Sequence, residues 1–73
     1  MKKETIFSYI DIDYYSATPK YLQLANSFIK AIREGKINKD DVLPSINELS
    51  FEFEISRDTA EKGYKHLKQI GIL

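Results

Sequence analysis

The sequence predicts a mainly α-helical domain in which three helices follow an extended N-terminal arm. Three stretches carry apolar residues every three or four positions, the spacing that places side chains on one face of a helix. Each stretch is preceded by a residue that favours a helix start, and the first and third are followed by glycine. The chain has 73 residues and no cysteine, so a small core of apolar side chains must stabilise one domain.

The arm is predicted to comprise residues 1–18, ahead of a helical domain at residues 19–73. Residues 5–15 alternate loosely between apolar and polar types, which favours an extended segment or an edge strand. The side chains expected to face inward are Phe7, Ile10 and Ile12.

Two groups of arm residues allow a second interpretation. Asp11 and Asp13 could form a metal-binding pair, but without a third ligand at useful spacing we expect a solvated face. Tyr9, Tyr14 and Tyr15 could pack on a partner protein or cover the base of the helical core. The sequence leaves the role of these tyrosines open.

The first helix is predicted from residue 19 to about residue 34. Thr18 can cap its N-terminus, and Pro19 suits its first turn, because a backbone N–H at that position would have no partner within the helix. Gly35 can take the left-handed conformation that ends a helix. The predicted apolar stripe comprises Tyr21, Leu22, Ala25, Phe28, Ile29 and Ile32.

The second helix is predicted at residues 46–53, after a connector that contains a turn. Ser45 and Glu48 form a capping box, in which each side chain pairs with the backbone N–H of the other residue. The helix is too short to be stable without tertiary packing. The turn residues are Asn38, Lys39, Asp40 and Asp41, and the apolar face is Ile46, Leu49 and Phe53.

The third helix is predicted at residues 57–70, with Ser56 as its N-cap and Gly71 after its end. Its inner face at helical spacing comprises Ala60, Gly63, Tyr64, Leu67 and Ile70. The opposite face centres on Asp58, Lys62, Lys65 and Gln69.

The excess of positive charge lies on this third helix. The whole chain has no net charge, which argues against a nucleic-acid binder that works by bulk charge. Residues 55–73, however, carry four basic and two acidic residues, a net of two positive charges. The positive excess therefore lies on the helix whose outer face is polar.

The second and third helices fit the helix-turn-helix arrangement, a short capped helix, a tight turn and a longer helix. The small inner residues Ala60 and Gly63 let the third helix approach its neighbours closely, so its far side stands out from the domain. Such a helix fits a DNA major groove about 12 Å wide, with its N-terminal residues nearest the base edges.

A set of landmarks in order along the chain carries a family resemblance. They are Tyr21 and Gln23; Ile32, Gly35 and Ile37; Leu43, Pro44 and Ser45 with Glu48 and Leu49; Ile55, Ser56 and Arg57 with Thr59; and Leu67 and Gly71. On these residues the chain resembles, over about residues 16–73, the N-terminal DNA-binding domain of GntR-family bacterial transcription regulators. The arm also looks like the lead-in of the YtrA-like subfamily.

The resemblance implies a winged helix-turn-helix transcription factor that binds double-stranded operator DNA as a homodimer. The third helix would be the recognition helix and would enter the major groove of an operator half-site. In the family a wing hairpin and a C-terminal effector domain follow the position of Gly71. Because this chain stops at Leu73, we expect it to be truncated before both, and a small-molecule effector is expected only for the missing domain.

The resemblance also assigns candidate DNA-binding residues by position. Ser45 would cap the second helix next to the DNA backbone, Ser56 and Arg57 would open the recognition helix, and Thr59 would be the next contact. The periodicity adds Lys62 and Lys65 as weaker phosphate contacts. The full candidate set is Ser45, Asn47, Ser56, Arg57, Asp58, Thr59, Glu61, Lys62 and Lys65.

Three positions depart from the family pattern. Asn47 stands where an arginine usually contacts DNA, so that contact is weakened or replaced by a neutral one. Glu61 stands where many members have a basic or polar residue, and it could read a cytosine amine or orient Arg57. Glu54 stands where glycine is common, so a left-handed backbone there would carry strain.

Other function classes find less support in the sequence. His66 is the only histidine and is expected on the exposed side of the third helix without a second metal ligand beside it. No catalytic triad, phosphate loop or buried carboxylate pair can be built from the chain, so neither an enzyme nor a cofactor is expected. No signal peptide follows Met1 and Lys2 and no membrane span is present, which favours a cytoplasmic protein. A helix-turn-helix module that docks onto another protein without binding DNA is the alternative.

Overall fold

The computed structural model describes residues 3–38 and 40–73, which contain four helices and no strand. Three residues lie outside the described ranges: Met1, Lys2 and Lys39. Two sequence predictions fall on them, namely an N-terminus without a signal peptide and the assignment of Lys39 to a turn. The helices are α1 (Lys3–Phe7), α2 (Lys20–Arg33), α3 (Ile46–Phe53) and α4 (Arg57–Gln69). The mainly α-helical helix-turn-helix prediction is confirmed, and α2, α3 and α4 end within one residue of the predicted bounds.

The prediction of an edge strand in the arm is wrong at its start, where α1 lies. Ile6 lies in α1 and is fully buried, and Ile10, just after the end of α1, is 7% exposed. Phe7 and Ile12, expected to face inward, are half-buried. Apolar packing against the helical domain therefore outweighs the loose alternation of the sequence.

After α1 the arm is held by side chains of α2 and not by a strand ladder. The Gln23 Oε1 atom accepts a hydrogen bond from the Asp13 N–H at 2.6 Å, and its Nε2 atom donates to the Asp13 carbonyl at 3.1 Å. The Ser27 hydroxyl accepts from the Asp11 N–H at 3.3 Å. These contacts satisfy backbone groups that a strand would have paired in a sheet.

The expected cap of α2 by Thr18 is not formed. Pro19 occupies the cap position, with φ of −54° and ψ of 143°, and no side chain caps the helix. The Thr18 carbonyl instead accepts a hydrogen bond from Gln23 Nε2 at 2.8 Å. At the other end Gly35 has a φ of +75°, the left-handed conformation that the sequence predicts.

The core lies where α2 packs against α4. The buried residues of α2 are Leu24, Ala25, Phe28 and Ala31. Leu24 and Ala31 fall outside the predicted stripe because α2 is covered on two sides, by the arm and by α4. On α4 the buried residues are Ala60, Gly63 and Leu67, with Tyr64 half-buried. Ile70, predicted on the inner face, is 48% exposed because it lies beyond the last helical residue.

The turn between α3 and α4 is fixed by local hydrogen bonds. Glu54 adopts the left-handed conformation, with φ of 52° and ψ of 43°, at the end of α3. The Ser50 hydroxyl donates to the Ile55 carbonyl at 2.6 Å, and the Ile55 N–H donates to the Ser50 carbonyl at 3.2 Å. Leu49 and Ile55 are buried on either side of this turn, where α3 packs against α4.

Candidate nucleic-acid interface

The N-terminus of α4 is organised by two hydroxyl groups. Ser56 has an extended backbone, and its Oγ atom accepts a hydrogen bond from the Thr59 N–H at 3.1 Å. The hydroxyls of Ser56 and Thr59 also hydrogen-bond to each other at 2.8 Å. These predicted site residues therefore form the helix cap, which fixes the direction in which the first turn of α4 presents its neighbours.

The charged candidates of α4 are all exposed, but they lie on different sides of the helix. Asp58, Lys62 and Lys65 follow the outer face, opposite the buried core residues. Arg57 and Glu61 are four residues apart and lie together on the side nearer α3. Glu61 also lines the cleft of about 300 Å³ between α3 and α4. The carboxylate is thus placed on the Arg57 side of the surface.

The N-terminus of α3 supplies the remaining two candidates. Ser45 accepts a hydrogen bond from the Glu48 N–H at 3.1 Å, and the Ser45 N–H donates to Glu48 Oε1 at 2.9 Å. This is the predicted capping box, and it is confirmed. Asn47 lies in the first turn that follows and is exposed.

A half-buried tyrosine links the start of α3 to α4. The Tyr64 hydroxyl donates a hydrogen bond to the carbonyl of Pro44, the residue before the α3 cap. Burial raises the pKa of Tyr64 well above its usual value, and the nearby Glu48 carboxylate raises it further. The hydroxyl, already protonated at neutral pH, therefore keeps its proton as a donor to a higher pH than a free tyrosine does. The two candidate segments, at Ser45 and at Ser56, are held in one fixed arrangement.

The other flank of α4 faces α2 and carries residues that the sequence did not group together. His66 is half-buried and not on the fully exposed side, because its ring packs edge-on against Tyr21 with centroids 6.3 Å apart. Tyr21, Lys62, Lys65, His66 and Gln69 line a polar cleft of about 290 Å³. Periodicity could identify the α4 members, but Tyr21 joins them only through helix packing.

The arm residues are accounted for mainly by local contacts. Asp13 Oδ1 accepts a hydrogen bond from the Tyr15 N–H at 3.0 Å. The Tyr14 hydroxyl donates to the Phe53 carbonyl, and the Lys20 ammonium lies 5.3 Å from the Tyr14 ring centroid. Tyr9 is half-buried, whereas Tyr15 is 98% exposed. Tyr9 and Tyr14 therefore contact the domain, as one of the two interpretations expected.

Residues 3–38 and 40–73 contain no group of three or more histidine, cysteine, aspartate or glutamate side chains that could hold a metal ion. Within the same ranges, no helix has the length and apolar character needed to cross a membrane.

Comparison with known proteins identifies relatives of this helical domain. The chain is 34% identical over 64 residues to the HTH-type transcriptional repressor YtrA of Bacillus subtilis (strain 168). The aligned region covers 88% of this chain and 49% of YtrA. It is 25% identical over 64 residues to the uncharacterized HTH-type transcriptional regulator YhcF of the same strain, covering 88% of this chain and 53% of YhcF. The chain spans about half the length of these curated relatives. No solved structure matches the chain.

The family model described as bacterial regulatory proteins of the gntR family matches residues 20–73. This range includes α2, α3 and α4 and both candidate segments. The match covers well over half of the chain, so the chain belongs to the GntR family of bacterial regulatory proteins.

Proposed function

We propose that this chain is the sequence-specific DNA-binding domain of a transcription regulator and that α4 enters the major groove of an operator half-site. One observation carries the proposal: α4 buries Ala60, Gly63 and Leu67 and leaves its opposite face polar and exposed. An α-helix with its side chains is about 10–12 Å wide, and the major groove is about 12 Å wide. The exposed half of α4 therefore fits the groove while the buried half stays in the core.

In this arrangement the first turn of α4 reads bases and the α3 N-terminus contacts the backbone. Arg57 is exposed in that first turn, and its guanidinium can donate two hydrogen bonds to the O6 and N7 atoms of a guanine. Asn47 offers a neutral amide in the place of the arginine that many family members have there. Glu61 lies on the Arg57 side, where it can orient the guanidinium or accept from a cytosine amine.

We further propose that the regulator binds its operator as a homodimer. A single half-site supplies only a few charged contacts from α3 and α4. Specific regulators reach dissociation constants of about 10⁻⁸ M or tighter, which usually requires two half-sites. A small-molecule effector is proposed only for a C-terminal effector domain of a longer protein.

Docking onto another protein is the second candidate function. The chain has no net charge. Phe51 is 87% exposed on α3, a helix that also carries Asn47 and two glutamates and is followed by a third. A protein partner could use such a surface without any phosphate contact.

The salt dependence of binding to random duplex DNA separates the two candidates. For a DNA reader, the logarithm of the binding constant falls with the logarithm of salt concentration, by about 0.9 for each phosphate contacted. We expect the binding constant, measured by fluorescence-anisotropy titration, to fall steeply between about 50 and 200 mM salt. The matched control is Lys36→Gln, because Lys36 pairs with Glu34 at 3.1 Å away from the proposed surface and should leave the slope unchanged. Absence of salt-dependent binding would favour the docking module.

A further inference from the structure

The cleft between α2 and α4 has a distinctive set of side chains. It measures about 290 Å³ and opens beside the outer face of α4. Its lining residues offer two ammonium groups, an imidazole, an amide and a phenol. These residues are Tyr21, Lys62, Lys65, His66 and Gln69.

The lining of this cleft contains no carboxylate, whereas three other polar clefts of the described residues each contain one. The cleft between α3 and α4 includes Glu61. A cleft beside the arm includes Glu34, and another includes Asp11. In a chain with no net charge, the lining on the α2 side of α4 therefore carries two lysines and no carboxylate.

Helix packing holds the floor of the cleft in place. A Cβ atom at Gly63 would lie 3.3 Å from the Tyr21 carbonyl oxygen and 2.8 Å from Leu24 Cδ2, so α2 and α4 are in close contact here. The ring of Tyr21 meets that of His66 edge-on, with an interplanar angle of 75°. Tyr21 and His66 are thus positioned by the core, and the two lysines extend from the same helix face.

We propose that this cleft binds a backbone phosphate of duplex DNA, on the strand that borders the groove occupied by α4. The inference rests on the proposed function. A helix that fills the groove turns its flanks toward the sugar-phosphate walls. The cleft toward α3 also contains two lysines, but its Glu61 carboxylate repels a phosphate. The cleft toward α2 supplies Lys62, Lys65 and His66 as cations and hydrogen-bond donors with no carboxylate in its lining.

A phosphodiester suits the site because the cleft is open to the face that meets DNA. Lys62 and Lys65 belong both to the cleft and to the outer face of α4, so an anion bound there lies alongside the helix. Contacts with phosphate position the protein on the duplex and carry no sequence information directly. The cleft should therefore add affinity equally for all sequences.

The test compares Lys62→Gln with Lys68→Gln on both a random duplex and a duplex selected for tight binding. Both changes remove one positive charge from an exposed position of α4, but Lys68 lies on the Glu61 flank. Loss of one phosphate contact should make the salt slope shallower by about 0.9. If variant and wild type bind equally when extrapolated to about 1 M salt, the variant should bind about eightfold more weakly at about 0.1 M salt. We expect this from Lys62→Gln on both duplexes, and a smaller change from Lys68→Gln.

A second variant, His66→Ala, tests the cleft apart from the lysines. This variant should weaken binding to both duplexes by the same factor. Its helix content, measured by circular dichroism, should match that of the wild type. Equal losses of affinity for Lys62→Gln and Lys68→Gln would contradict the phosphate site, and so would a loss of affinity confined to the selected duplex. In either case, binding of DNA by the wild-type protein would still support the proposed function. Wild-type protein that selects no duplex and does not bind the random duplex would instead contradict the proposed function itself.

Discussion

Glu54 shows how a single residue departs from what its backbone position favours. Its left-handed φ of 52° is the conformation that glycine adopts without strain, and glycine is common at this position in the family that the sequence resembles. For a residue with a Cβ atom this conformation costs about 1–2 kcal/mol. The helix-turn-helix geometry is kept because the Ser50 and Ile55 hydrogen bonds and the buried Leu49 hold the turn.

Replacing Glu54 by glycine should therefore stabilise the domain. We expect the free energy of unfolding to rise by about 1 kcal/mol in urea denaturation. The matched control is Glu52→Gly, an exposed position inside α3, where glycine should lower the free energy of unfolding by about 1 kcal/mol. A loss of stability in Glu54→Gly would contradict the view that the left-handed backbone is strained.

The caps and exposure of individual candidate residues could be predicted from the sequence where the signal was local. The caps at Ser45 and Ser56, and the exposure of Arg57 and Lys62, follow from motif and periodicity. His66 could not be placed in this way, because its partial burial depends on Tyr21, which lies 45 positions earlier in the chain. Pairings at such separation have no local signature.

At the scale of elements, the crossing of α2 and α4 decides both the core and the site. Gly63 is the contact point, because a Cβ atom there would be 2.8 Å from Leu24 Cδ2. The sequence predicts a small inner residue at this position but not which residues of α2 it meets. The same limit explains α1, whose five residues are too few to form a helix without tertiary contacts.

A larger side chain at Gly63 should disrupt this crossing. Gly63→Val should lower the free energy of unfolding by about 1–3 kcal/mol, because the new side chain overlaps Leu24 and approaches the Tyr21 backbone. Lys65→Val adds the same β-branched residue at an exposed position of α4 and should cost less than about 0.5 kcal/mol. Equal stability of the two variants in chemical denaturation would show that the helices do not meet closely at Gly63.

At the scale of the whole molecule, the distribution of charge matters more than its sum. The chain is neutral overall, yet the cleft on the α2 side of α4 is lined only by cationic and neutral polar residues, whereas the cleft on the α3 side holds Glu61 beside two lysines. The sequence predicted the excess of positive charge after residue 55 but not its division between the two flanks. That division depends on which side of α4 faces α2, and only the packed fold determines it.

The most direct test of the central claim is selection of bound sequences from random duplex DNA, followed by affinity measurements on the selected site. The account predicts an enriched sequence for the wild-type chain, and a loss of about 1–3 kcal/mol, roughly 5- to 150-fold in affinity, for Arg57→Ala. Arg33→Ala, which removes an exposed arginine from the last turn of α2, should bind like wild type. No enriched sequence, or equal affinities for Arg57→Ala and Arg33→Ala, would contradict the claim that the N-terminal half of α4 reads DNA.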